Sequence, residues 1–77
     1  MSADQVLTFG QKAVGLTFNP SGDPNVLAFK EQCAAFIDAC NNFRNNATDP
    51  EVKRMYSVAI TYAQNAQMWA VKAATWK

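Results

Sequence analysis

The chain contains no histidine, and that absence removes a great deal of chemistry at once. A serine or cysteine nucleophile loses its commonest base, and no serine stands in a Gly-x-Ser-x-Gly setting. Zinc loses its usual nitrogen ligand, and the two cysteines, Cys33 and Cys40, are spaced i, i+7, which makes no zinc site. On one helix that spacing sets the thiols roughly 10 Å apart along the axis, beyond disulfide reach. They read as buried thiols of a reducing compartment. Charge is also scarce: seven basic side chains stand against six acidic ones, for a net charge of +1. No broad basic face for a DNA or RNA duplex can be built from so few. Nor is there an apolar run long enough to span a membrane, and Met1 to Gln5 lack the basic start and apolar stretch of a signal peptide. A soluble, cytoplasmic protein is expected.

The remaining acidic residues do not rescue catalysis. Asp4, Asp23, Glu31, Asp38, Asp49 and Glu51 are scattered, and Asp23, Asp49 and Glu51 suit helix starts. No Walker A run and no Gly-x-Gly-x-x-Gly occurs. The expectation is a binder rather than an enzyme, with no catalytic residues, no metal and no cofactor.

What is present is apolar and helical. Hydrophobic residues make up 49% of the 77, too many for disorder. A chain this short buries only about 60% of its unfolded surface, so self-association is expected to complete the core. One helix should run from Asp23/Pro24 to about residue 46, with Val26, Phe29, Cys33, Phe36 or Ile37, Cys40 and Phe43 as its apolar seam. The Asn-rich stretch from Asn41 to Asn46 and the turn at Ala47-Thr48-Asp49-Pro50 end it. A second helix starts there, capped either by Thr48 in a capping box or by Asp49 with Pro50 in the first position.

That second helix has no glycine or proline after Pro50 and is expected to reach about residue 75. Ala59, Ala63, Ala66, Ala70 and Ala73 form a small-residue stripe that admits a close partner helix. Met55, Tyr62, Trp69 and Trp76 supply bulk beside it, and Trp69 is assigned to the buried structure. The fold class is therefore all-α: an antiparallel two-helix hairpin, assembled into a helical oligomer. The hairpin domain takes the whole chain, residues 1–77, divided as an N-terminal segment with a ligand loop (1–23), helix A (24–46) and helix B (49–75). Ala3 to Gly10, with Val6, Leu7 and Phe9, is placed as a further short helix.

Glycine and proline, three of each, concentrate where the loop lies. Gly15-Leu16-Thr17-Phe18-Asn19-Pro20-Ser21-Gly22-Asp23-Pro24 reads as a built loop that brings a ring, an amide, a hydroxyl and backbone N–H groups to a helix start. Such an edge suits an anion. Phe18 is either a plug against the hairpin or a platform for a flat ligand. Asn19 and Ser21 are turn formers first and contacts second. Lys30 falls near the edge of the seam, where it is either a solvated charge or an ammonium reaching toward the loop to hold phosphate. A two-fold dimer would duplicate these groups around one ligand.

Three stretches carry a family resemblance: Ala13 to Gly22, then Val26 to Lys30 with Ile37-Asp38, and Ala66-Gln67-Met68-Trp69-Ala70-Val71-Lys72-Ala73. Together they resemble a group of small bacteriophage proteins, the anti-CBASS nucleotide sponges, whose helical hairpin is shared with the anti-Thoeris sponge. The resemblance implies a non-enzymatic role in the cytoplasm of an infected bacterium: sequestering a cyclic dinucleotide or cyclic trinucleotide messenger, without cleaving it, in a homo-oligomer. It implies Phe18 over a base and Lys30 on phosphate, and with Asn19, Ser21 and Gly22 of the loop these are the expected ligand-binding residues. Sponges of this kind carry Tyr where this chain has Phe18, at a different spacing from the lysine, which leaves ligand choice among cyclic dinucleotides, trinucleotides and cyclic ADP-ribose-like molecules open. The alternative is a helical protein–protein interaction module with no nucleotide ligand, and dimers, tetramers and hexamers are all compatible with the stripes.

Overall fold

Side-chain caps decide where each helix begins. The computed structural model describes residues 6–77, all-α, with no strand among the described residues. Helix α1 (Phe9–Ala13) opens on a capping box, in which Gln11 N donates to Thr8 Oγ1 at 3.1 Å and Thr8 N donates to Gln11 Oε1 at 2.9 Å. Helix α2 (Pro24–Asn46) starts where the Asp23 carboxylate accepts from Asn25 N at 2.7 Å. Helix α3 (Pro50–Ala74) starts the same way, with Asp49 accepting from Glu51 N at 2.9 Å. Of the two starts open to it, the chain uses Asp49 with Pro50, whose missing N–H costs nothing in the first turn.

Three residues, Ala47 to Asp49, join α2 to α3 and turn them into a hairpin. The shared seam is narrow. Val14, Val26, Ala34, Ile37, Cys40 and Ile60 are the buried apolar residues, with Ile37 fully enclosed. Burying a side chain of that size contributes about 1.5–3 kcal/mol. Cys33, Tyr56, Ala59 and Ala63 pack against this line from its edges. Between Phe36 and Ile37, the seam takes Ile37. Phe29 and Phe36 face outward instead, because the buried positions 30 and 37 stand one residue beyond each, and Phe43 is exposed over half its surface while its ring stacks on Tyr56 of α3 at 6.0 Å.

The same correction applies to α3. Met55, Tyr62, Trp69 and Trp76 are exposed on the protomer, Trp69 at 64% and Trp76 at 74%. In the alanine stripe, Ala59, Ala63 and Ala70 are partly covered, while Ala66 and Ala73 are exposed. One facing helix covers one side of α3, and the bulky residues occupy the other. The outline follows: the chain measures 44 × 33 × 12 Å, with a radius of gyration of 13.8 Å. A compact chain of this length would have a radius of about 11.5 Å. The protomer is one helix thick.

The short N-terminal helix lies at Phe9–Ala13 rather than Ala3 to Gly10, and Ala3 to Gln5 fall outside the described residues. Gly10 is what lets it dock. Its N–H donates to Asp38 Oδ1 at 2.7 Å, and a Cβ there would overlap the Ala34 carbonyl oxygen. Gln64 Nε2 of α3 donates to Ala13 O at 3.0 Å, tying the other end of α1 down. Arg44 closes the assembly: its guanidinium lies 5.4 Å from the Phe9 ring centroid and donates to Ser57 Oγ at 2.9 Å.

Cys40 is buried and Cys33 partly so, and burial pushes the Cys33 thiol above its ordinary value. Both should alkylate with iodoacetamide at pH 7.5 far more slowly in the native chain than in urea, as read by mass spectrometry. Gly10→Ala should cost about 1–3 kcal/mol, the usual toll of overpacking. A lowered thermal midpoint with most of the helical circular dichroism retained is the expected result, since α2 and α3 keep their own seam.

Candidate ligand-binding site

Between α1 and α2 the chain makes two consecutive tight turns. Gly15 takes φ +62° and the first turn closes with Phe18 N donating to Gly15 O at 2.9 Å. The second closes with Gly22 N donating to Asn19 O at 3.0 Å, with Gly22 itself at φ +66°. Polar side chains brace it from within. Asn19 Nδ2 donates to Asp23 O at 3.2 Å, Ser21 Oγ donates to Asn19 Oδ1 at 3.2 Å, and Asp23 N donates to Ser21 Oγ at 3.3 Å. Asn19 and Ser21 are thus engaged as turn formers, and Gly22 shapes the loop without lining the cavity beside it.

The start of α2 does not offer the open anion edge expected of it. The Asp23 carboxylate occupies Asn25 N, and a second negative charge would be repelled there. Positive charge enters from Lys30 instead. Lys30 is 5% exposed, and among the described residues no other charged side chain is buried. Its ammonium donates to Gly15 O at 2.9 Å and to Phe18 O, and lies 5.6 Å from the Phe18 ring centroid. The lysine sits in the seam, not at its edge. Phe18 is no plug: 72% of its surface is exposed.

Phe18, Asn19, Ser21 and Lys30 line one cavity of about 420 Å³, open on one side, together with Pro20, Val26, Val71, Thr75 and Lys77. Its volume is within the range of small-ligand pockets, roughly 300–1,000 Å³. Two lysines and no acidic side chain line it. A depression of about 400 Å³ on the face of α3, beside Tyr62, Gln64, Gln67 and Met68, has similar volume but no charged side chain. The pocket at the loop is equipped for an anion that carries a flat ring, with an exposed aromatic face, ammonium groups and an apolar floor; a shallower depression of about 530 Å³ at Trp69, Lys72 and Trp76 also sets a lysine beside aromatic rings, but away from the loop.

Sequence reading missed the wall supplied by the end of α3. Val71 and Thr75 stand one turn apart on it, and Thr75 Oγ1 donates back to Val71 O at 2.8 Å. The hairpin topology was the available signal. An antiparallel partner brings the end of α3 beside the start of α2, where the loop lies.

These features define a class: a small helical-hairpin binder whose pocket joins an aromatic loop to a lysine on the first hairpin helix. The chain belongs to the Acb2/Tad1 hairpin-domain family, whose model matches residues 11–75. This is the family of the anti-CBASS and anti-Thoeris sponges, binders rather than enzymes. No curated protein matches the chain significantly. No solved structure does so either.

Replacing Gly22 with alanine should destabilise the loop by about 1–2 kcal/mol, because an L-residue pays that much in the left-handed region. Gly22→Asn should cost less. Comparing the denaturation midpoints of the two variants checks the order.

Proposed function

We propose that this protein captures a cyclic oligonucleotide messenger, a cyclic dinucleotide foremost, and holds it uncleaved so that the messenger cannot reach its effector. The observation that carries the reading is the cavity that brings Phe18, Lys30 and Lys77 together with no acidic side chain, in a member of the sponge family. In this reading a base stacks on the Phe18 ring while phosphate draws on the ammonium groups. Residues 13–22 and 24–46 supply one half of the site as parts of a single hairpin domain, and the messenger is that of a phage-infected bacterium, met in its cytoplasm.

Energetics favour a site shared between protomers. Stacking contributes about 1–3 kcal/mol per base, and a hydrogen bond to a charged group about 1.5–3 kcal/mol. Nanomolar capture needs about 12 kcal/mol after the cost of association has been met. One protomer offers a single exposed ring and two lysines, so a second copy closing over the ligand supplies the rest. The one-helix thickness of 12 Å and the exposed Trp69, Trp76 and Phe36 support such self-association. Those same tryptophans are the one feature that favours a protein-interaction module instead.

Incubation with a panel of cyclic di- and trinucleotides and cyclic ADP-ribose isomers should deplete at least one from solution. Heating should return that ligand with unchanged chromatographic mobility; a linear product would point to hydrolysis, and no depletion at all to an interaction module. Phe18→Ala should weaken the captured ligand about 10- to 100-fold, in line with one lost stack. Trp69→Glu should reduce the assembly mass measured by light scattering while helical circular dichroism persists.

A further inference from the structure

A buried ammonium must be compensated by close acceptors, and here both acceptors belong to the loop. Lys30 reaches across from α2 to Gly15 O and Phe18 O, the two carbonyls at the ends of the turn that Phe18 N closes onto Gly15 O. An ammonium has three donors. Two are spent on this turn, and the charge also faces the Phe18 ring at 5.6 Å. Leaving those bonds would strand a charged group in a site that is 5% exposed.

From this geometry we infer that Lys30 is a positioning residue, a latch that fixes the loop and thereby the Phe18 ring, in addition to the charge it lends to phosphate. The inference rests on the ligand reading above. It adds a role for the lysine within that reading. Binding affinity then depends on Lys30 even for a ligand that has no phosphate, because what the lysine supplies is a preformed stacking face.

The test has two arms that fail separately. In the free full-length chain, amide hydrogen exchange at Phe18 and Gly22 is compared between wild type and Lys30→Met, which keeps the volume of the side chain and removes its donors. The latch predicts exchange at least ten-fold faster at both amides, with Ile60 in α3 unchanged; unaltered loop exchange overturns it. Lys30→Arg, which restores donors and charge, should recover part of the protection, and a recovery no better than Met counts against the latch. In the second arm, adenosine and guanosine, which lack phosphate, are titrated by chemical-shift perturbation alongside the cyclic dinucleotide. The latch predicts that Lys30→Met weakens the nucleosides at least five-fold as well as weakening the dinucleotide. Loss confined to the dinucleotide overturns it in favour of direct phosphate contact. Should the wild-type chain bind neither probe, the ligand reading fails, and the exchange comparison alone decides the latch.

Discussion

Two long helices laid side by side in one layer share a single line of contact, and most of this molecule follows from that constraint. The line runs through Val26, Ala34, Ile37 and Cys40 of α2 and Ile60 of α3, with Ile37 completely enclosed. Among the described residues, only the short α1, docked against the middle of α2 through Gly10, and the loop that follows it lie over the pair. The aromatic residues that would fill a thicker protein are left outside. A layer 12 Å deep has no second surface against which to bury them.

The same constraint explains why a lysine lies in the seam. Lys30 occupies a buried position of α2, four residues after Val26 and four before Ala34, where an aliphatic side chain would ordinarily stand. Its ammonium leaves the apolar line and meets the carbonyls of the turns that precede α2. Polar and apolar needs are met by one side chain. The stem fills the seam, and the head holds the loop whose ring forms the mouth of the pocket. Packing and site are therefore coupled through one residue, and a change at position 30 acts on both.

The pocket has cations, an aromatic face and an apolar wall, and such a surface contributes affinity for a flat anion. The openness of the pocket on one side and the uncovered Trp69 and Trp76 fit together if a second copy both shields the tryptophans and completes the pocket, since each then solves a deficit of the single layer.

The two hairpin helices, their starts and the loop were legible in the residues; the start of α1 was not, since its capping box of Thr8 and Gln11 went unread. Asp23-Pro24 and Asp49-Pro50 carry their own capping chemistry, and Gly15, just past the end of α1, and Gly22, at the last position of the second turn, take positive φ, so local rules suffice there. The resemblance in residues 13–22 and 66–73 likewise reached the right family. Which face of each helix turns inward was not legible. Phe36 and Ile37, or Phe29 and Lys30, are neighbours in sequence, and either choice satisfies a three- and four-residue rhythm. Only the docking of α3 and α1 selected Ile37 and Lys30, because close approach at Ala34 and Gly10 leaves no room for a phenylalanine on that side. Val71, Thr75 and Lys77 joined the pocket for the same reason. They are distant along the chain and become neighbours of Phe18 only when the hairpin closes. The sequence by itself determined the two hairpin helices, their caps and the family. The tertiary structure alone decided burial, because burial depends on what stands opposite, and that is a property of the closed fold rather than of any one segment.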